Sequence, residues 1–134
     1  KKFKSFHKLS AFNRSIIRDS RSQNNFADVI RLREFEQSIS DFDLIINATS
    51  AGSSDDLNSA PFNLDLLSNA KSECVIYDII YHPSKTKLLL ASESRGLKTI
   101  NGLRMNMVQA VLAYKYTNPT NLSLEQIFKT MEEN

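Results

Sequence analysis

Ile45-Ile46-Asn47-Ala48-Thr49-Ser50-Ala51-Gly52 is an apolar β-type run that stops abruptly in small and polar residues. Val75-Ile76-Tyr77-Asp78-Ile79-Ile80-Tyr81 has the same form further on. A third segment, Thr99-Ile100-Asn101-Gly102-Leu103-Arg104-Met105-Asn106-Met107-Val108-Gln109-Ala110, passes from a short β-type run into a helical pattern. In an open α/β sheet the chain leaves the carboxyl end of a strand at such a break, and ligands bind there.

The flanking sequence fits the same layering. Leu9 to Phe12 is predicted as a short strand ending at Asn13, and Ser15 as the N-cap of a helix through about Gln23, because its hydroxyl can accept a free backbone N–H. Asp28 to Leu32 is a second short strand, and Glu34 to Ile39 a brief helix with Phe35 and Ile39 on one face. Phe42 to Asn47 is expected to be buried in a parallel sheet covered on both faces, with Asp43 near its mouth. Ser53 to Ala60 is a polar loop, and Pro61 leads into a short helix around Leu64-Leu66-Leu67. Cys74 to Ile80 is the next strand, rich in β-branched residues. Thr86 caps a helix to about Arg95, and Gly96 suits the left-handed position that ends it. Lys98 to Ile100 is the last strand. A long helix runs from about Leu103 to Tyr116 until Asn118-Pro119 breaks it. Ser123 caps a final helix with Leu124, Ile127, Phe128 and Met131 on its apolar face. Strands alternating with helices predict an α/β fold: a Rossmann-like parallel sheet layered with helices.

Composition narrows the function classes. The 134 residues make one domain or part of one. With 17 basic against 15 acidic residues, the charge is too balanced to point to nucleic acid. Lys1, Lys2, Lys4 and Lys8 are the only basic cluster and read as the solvated face of a helix end. No apolar run approaches the ~20 residues of a membrane span, and the start is too polar for a signal peptide. Cys74 is the only cysteine, without a partner for a disulfide or a metal site, which fits a reducing cytoplasm. Three glycines in the whole chain rule out a Gly-x-Gly-x-x-Gly phosphate loop within it.

Four groups of residues can carry chemistry. Asn13, Arg14, Ser15 and Arg18 follow the first visible strand. Both arginines can face one anion, Ser15 can donate a hydroxyl bond, and a helix N-terminus adds a positive dipole end. At the end of the second strand of a dinucleotide fold, an acid selects NAD and an arginine accommodates the 2′-phosphate of NADP. The plainer alternative is a solvated loop with ordinary arginines. Thr49 and Ser50 offer hydroxyls to a nicotinamide ribose, although turns of small polar residues are common for structural reasons. Ile79 can wall a nicotinamide ring, and Tyr81 can place a phenol at the cleft mouth. Tyr77 reads as core packing and Asp78 as a structural hydrogen-bonding group. His82 and His7 read as ordinary residues without a visible partner. Gly102, Met105 and Gln109 lie along one helical face. Glycine allows close backbone approach there, methionine gives a soft apolar contact, and the glutamine amide both donates and accepts. A core-facing helix with one satisfied glutamine is the alternative.

Taken together, Asn13-Arg14-Ser15, Asn47-Ala48-Thr49-Ser50, Tyr77-Asp78 with Tyr81, Pro83 to Thr86, and Gly102-Leu103 with Met105 and Gln109 resemble the nucleotide-binding domain of shikimate dehydrogenases. The resemblance runs from about Leu9 to Met131. It implies NADP-dependent reduction of 3-dehydroshikimate to shikimate in aromatic amino-acid biosynthesis. It places Asn13, Arg14, Ser15 and Arg18 around the adenosine 2′-phosphate. Thr49, Ser50, Ile79, Gly102 and Met105 would surround the nicotinamide half, and Tyr81 and Gln109 would reach the substrate. Arg104 departs from the family, where many members have glycine. The family's catalytic Lys and Asp belong to a substrate domain, so no catalytic residue is assigned in this sequence. The family's first, central strand and its glycine loop are not found here either, and Lys1 to Phe6 resembles the tail of the helix after that loop. A fragment without dehydrogenase activity of its own is therefore expected. Two strand edges left without the central strand invite self-association. Quinate-using relatives, a truncated non-catalytic nucleotide-binding or interaction module, and other two-domain dehydrogenases such as glutamyl-tRNA reductase or methylene-tetrahydrofolate dehydrogenase are the alternatives. The series from Tyr77 to Gln109 disfavours the last.

Overall fold

A computed structural model describes residues 9–13 and 28–133. Its strands are β1 (Ser10–Asn13), β2 (Asp28–Arg31), β3 (Leu44–Asn47), β4 (Val75–Asp78) and β5 (Lys98–Ile100). Its helices are α1 (Leu32–Ser38), α2 (Lys87–Glu93), α3 (Leu103–Thr117) and α4 (Leu124–Glu132), with 3-10 turns at Ile39–Asp41 and Leu64–Asn69. The fold is α/β, as the alternation of elements predicts.

The strands form two parallel sheets. β1 pairs with β2, Ser10 opposite Asp28. β3, β4 and β5 form the other sheet in that order, Leu44 opposite Val75 and Val75 opposite Lys98. A doubly wound sheet has the order 3-2-1-4-5-6. Among the described residues, the two sheets correspond to its flanks.

Phe12 ties the smaller sheet to the rest. Its ring lies 5.0 Å from that of Phe35 and 5.5 Å from that of Phe42, and Phe35 also meets Phe62 at 4.8 Å. These rings merge with Ile39, Ile45, Leu67, Cys74, Ile76, Leu88, Leu89 and Leu97 into one core. Burial holds the Cys74 thiol above its ordinary pKa, so it stays protonated and packs as a small apolar group.

β3 differs from the expected strand covered on both faces. Ile45 and Asn47 are buried, but Leu44 is 39% and Ile46 49% exposed. Side chains alternate across a strand, and the core lies on one side only. Across the open face, Ile100 on β5 is 51% exposed. α3 packs chiefly on α4 instead of covering this face. The expected apolar face of α4 is likewise only partly used: Ile127 is buried while Leu124 and Met131 remain exposed.

The caps follow local chemistry. The Thr86 hydroxyl accepts from Leu89 N, as an N-cap should. Gly96 adopts φ +76° and ends the α2 region. Ser123 and Gln126 form a reciprocal capping box on α4. The boundaries shift modestly from the sequence reading: α1 begins at Leu32, β3 at Leu44, and β4 ends at Asp78. Among the described residues, no helix is long and apolar enough to cross a membrane.

Candidate functional site

The carboxyl ends of β3 and β4 open into a cleft of about 450 Å³ lined by Thr49, Ser53, Ser54, Ile79, Ile80, Tyr81 and His82. Parallel pairing brings the two strand ends together, because Asn47 stands opposite Asp78. The loops beyond them form the walls. One wall is hydroxylic, the other aliphatic, and the Tyr81 phenol stands half exposed between them.

A buried polar network fixes both walls. Asp78 is fully buried, and none of the ion pairs among the described residues involves it. Its Oδ1 accepts from Asn47 Nδ2 at 3.1 Å and from Ile80 N at 3.1 Å, and its Oδ2 accepts from the Thr86 hydroxyl at 2.7 Å. Three neutral donors thus solvate the carboxylate within the protein. Asn47 carries the arrangement into the facing loop: its Oδ1 accepts from Thr49 N at 3.0 Å and from the Thr49 hydroxyl at 2.7 Å. Gly52 closes that loop at φ +98°, where a Cβ would lie 3.3 Å from Thr86 Cβ. The positive φ and the close neighbour both call for glycine.

α3 is seated on the same structure. Gly102 N donates to Ile80 O at 3.0 Å. A Cβ on Gly102 would fall 1.7 Å from the Ile79 carbonyl oxygen. The close approach that glycine permits here is therefore of α3 to the back of the cleft wall. Asn101 closes the junction by accepting from Leu103 N and donating to Ser84 O.

Of the residues singled out in the sequence, Thr49, Ile79 and Tyr81 meet in the cleft. Ser50 lies in the adjacent turn, where its carbonyl accepts from Ser53 N. Met105 and Gln109 follow Gly102 along α3 but do not line the cleft, and Gln109 is exposed. Asn13 ends β1. Arg14, Ser15 and Arg18 lie outside the described residues. Ser53, Ser54, Ile80 and His82 are lining residues that the sequence reading did not assign. His82, which reads from the sequence as an ordinary loop residue, is thus one of the cleft's lining residues. Among the described residues, no group of three or more His, Cys, Asp or Glu could hold a metal ion.

Known proteins show the same pattern in sequence and fold. No family model matches the chain. A shikimate dehydrogenase (NADP(+)) of Bacillus licheniformis is 42% identical over 89 residues, which are 66% of this chain and 31% of the relative. The crystal structure of shikimate dehydrogenase from Aquifex aeolicus matches with a TM-score of 0.71 at 27% identity, covering 95% of this chain and 45% of that one. A shikimate dehydrogenase structure in complex with NADP+ matches with a TM-score of 0.58 at 26% identity, covering 81% of this chain and 35% of that one. The chain thus spans a third to a half of the length of these relatives.

Proposed function

We propose that this chain, a member of the shikimate dehydrogenase family by sequence and by fold, forms the nicotinamide side of the cofactor site of an enzyme that reduces 3-dehydroshikimate to shikimate with NADPH. The observation that carries the reading is the meeting of Thr49, Ile79 and Tyr81 in one cleft at the carboxyl ends of β3 and β4. That is where parallel α/β sheets bind ligands.

The residues present fit the group. Ile79 and Ile80 give a flat aromatic ring an aliphatic wall, and the hydroxyls of Thr49, Ser53 and Ser54 suit a sugar or an amide. When bound, NADPH supplies the hydride. Thr49 and the Ile79 side of the cleft would hold the nicotinamide half, with Ser50, Gly102 and Met105 around it. Tyr81, half exposed at the mouth, would meet the substrate, and Gln109 would add its amide from α3. Asn13, Arg14, Ser15 and Arg18 would bind the 2′-phosphate through guanidinium forks and a hydroxyl. No residue of this sequence is assigned as proton donor, and no Gly-x-Gly-x-x-Gly loop occurs in it. These 134 residues alone should therefore not turn over substrate.

Thermal unfolding of the chain with NADP+ or NAD+ tests the reading. NADP+ should raise the midpoint more than NAD+ at equal concentration. Equal shifts would remove the role given to Arg14 and Arg18, and no shift with either would remove the cofactor site. In a complete enzyme containing this segment, Gln109→Ala should weaken substrate binding and leave cofactor affinity unchanged.

A further inference from the structure

We propose that Thr49 faces the cleft as a hydrogen-bond acceptor only, with Asn47 and Asp78 as the positioning residues that impose this polarity. The choice of ligand rests on the cofactor reading, whereas the polarity rests on the hydrogen bonds of Asn47 and Thr49 alone.

The direction of each bond follows from donors and acceptors that cannot change role. One terminal atom of the Asn47 amide lies 3.1 Å from Asp78 Oδ1 and 3.2 Å from the Ala51 carbonyl oxygen. Both neighbours are acceptors, so this atom is the NH2 group. The other terminal atom faces the Thr49 backbone N–H at 3.0 Å and is therefore the amide oxygen. That oxygen cannot donate. The Thr49 hydroxyl, 2.7 Å away, must spend its single proton on it. The Ala51 N–H, which can only donate, fills one lone pair of the Thr49 oxygen at 3.2 Å. A hydroxyl has one proton and two lone pairs. One lone pair remains for the cleft that Thr49 lines.

Asn47 is 3% exposed and Asp78 is fully buried, so water has little access to the bonds that orient the Asn47 amide. Without the Asp78 carboxylate, the Asn47 amide would lose one of the two acceptors that determine its orientation. A ligand group that meets Thr49 must then bring an O–H or N–H. A carbonyl or phosphate oxygen at that point would face lone pair against lone pair. In the nicotinamide half of NADP+, the carboxamide NH2 and the ribose hydroxyls supply such donors.

Two measurements on the chain test this. NMR of the unliganded protein should show slowed exchange of the Asn47 side-chain amide and a hydrogen-bond scalar coupling from the Thr49 backbone nitrogen to the Asn47 side-chain carbonyl carbon. An Asn47 side-chain amide that exchanges as fast as an exposed one, or that shows no such coupling, would overturn the assignment. The second measurement compares the dissociation constants of NADP+, its 3-acetylpyridine analogue, which has a methyl in place of the NH2, and an analogue with a deoxy nicotinamide ribose. One analogue should bind roughly five- to tenfold more weakly than NADP+, the loss of one neutral hydrogen bond. Thr49→Val should erase that difference and Thr49→Ser should keep it. Equal binding of all three by the unaltered chain, or a difference that survives in Thr49→Val, would overturn the proposal. If the unaltered chain binds none of them, the cofactor reading fails, and the NMR measurement alone decides the polarity of Thr49.

Discussion

Replacing Asp78 should separate the carboxylate's hydrogen-bonding role from the cost of its burial. In Asp78→Ala, Ile80 N and the Thr86 hydroxyl both lose their acceptor, while Asn47 Nδ2 keeps the Ala51 carbonyl. A buried donor left without a partner costs about 1–3 kcal/mol. Two such donors give roughly 2–6 kcal/mol, offset in part because a buried charge no longer has to be desolvated. A net loss of about 2–4 kcal/mol is expected. Asp78→Asn keeps the shape. With its oxygen toward Asn47 and Ile80 it retains two of the three bonds, and only the contact to the Thr86 hydroxyl must reverse. Thr86 already accepts from Leu89 N at 3.3 Å but has a second lone pair. Asp78→Asn should therefore cost about 1 kcal/mol. Urea unfolding of the three proteins measures the difference: at about 2 kcal/mol per molar urea, Asp78→Ala should lower the midpoint by roughly 1–2 M. If the two variants unfold together, or Asp78→Ala costs less than Asp78→Asn, the carboxylate does not organise the strand ends.

Gly102→Ala should be more damaging than Gly96→Ala, although Gly102 has an ordinary φ of −76° and Gly96 a φ of +76°. The new methyl at 102 would sit 1.7 Å from backbone, whereas the one at 96 meets nothing within 4 Å and bears only the roughly 1 kcal/mol cost of a left-handed alanine; unfolding midpoints in the reverse order would refute this. Glu93 is held below its ordinary pKa of 4.5, first by the hydrogen bond from Lys85 and then by that from Thr99. A depressed carboxylate pKa contributes stability above the unfolded value that is lost as pH falls through the folded one, so Glu93→Gln should flatten the stability profile below about pH 4.5, and an unchanged profile would exclude Glu93 from it. The open face carrying Leu44, Ile46 and Ile100, and the edge of β3 that pairs with no strand among the described residues, should drive association as concentration rises. Sedimentation should show it, and a strictly monomeric chain at high concentration would count against it.

What was legible in the sequence was set by neighbours a few residues apart. Thr86 and Ser123 cap helices because a hydroxyl meets a backbone N–H three positions on, and Gly96 ends α2 because only one residue type takes that φ without cost. Strand alternation showed where β3, β4 and β5 lie but not which faces would be covered. Covering depends on elements distant in sequence, and so the expectation that β3 is buried on both faces did not hold. The same limit applied to the cleft. Ser53, Ser54 and His82 line it because Asn47 and Asp78, 31 residues apart, bond across the two strand ends and hold the loops together. Nothing local marks a serine in a polar loop as facing a cleft.

Thr86 shows how a correct local reading can still be half of the physics. A cap uses only the lone pairs of a hydroxyl, and the sequence accounts for that half by the helix that follows. The proton must go elsewhere, and at a buried position it cannot go to water. Here it goes to Asp78 Oδ2, while the Thr86 side chain fills the space that a Cβ on Gly52 would enter. One residue thereby links the start of α2, the end of β4 and the loop after β3. A buried cap raises the question of where its proton goes, and a serine at an exposed cap such as Ser123 does not. Thr86→Val should consequently cost more than the loss of a helix cap alone, about 1 kcal/mol, because the Asp78 carboxylate loses a donor as well. Thr86→Ser keeps both bonds and should cost only the methyl group. If valine and serine at 86 prove equally destabilising in urea, packing of the methyl governs the position, and the proton's path to Asp78 contributes nothing.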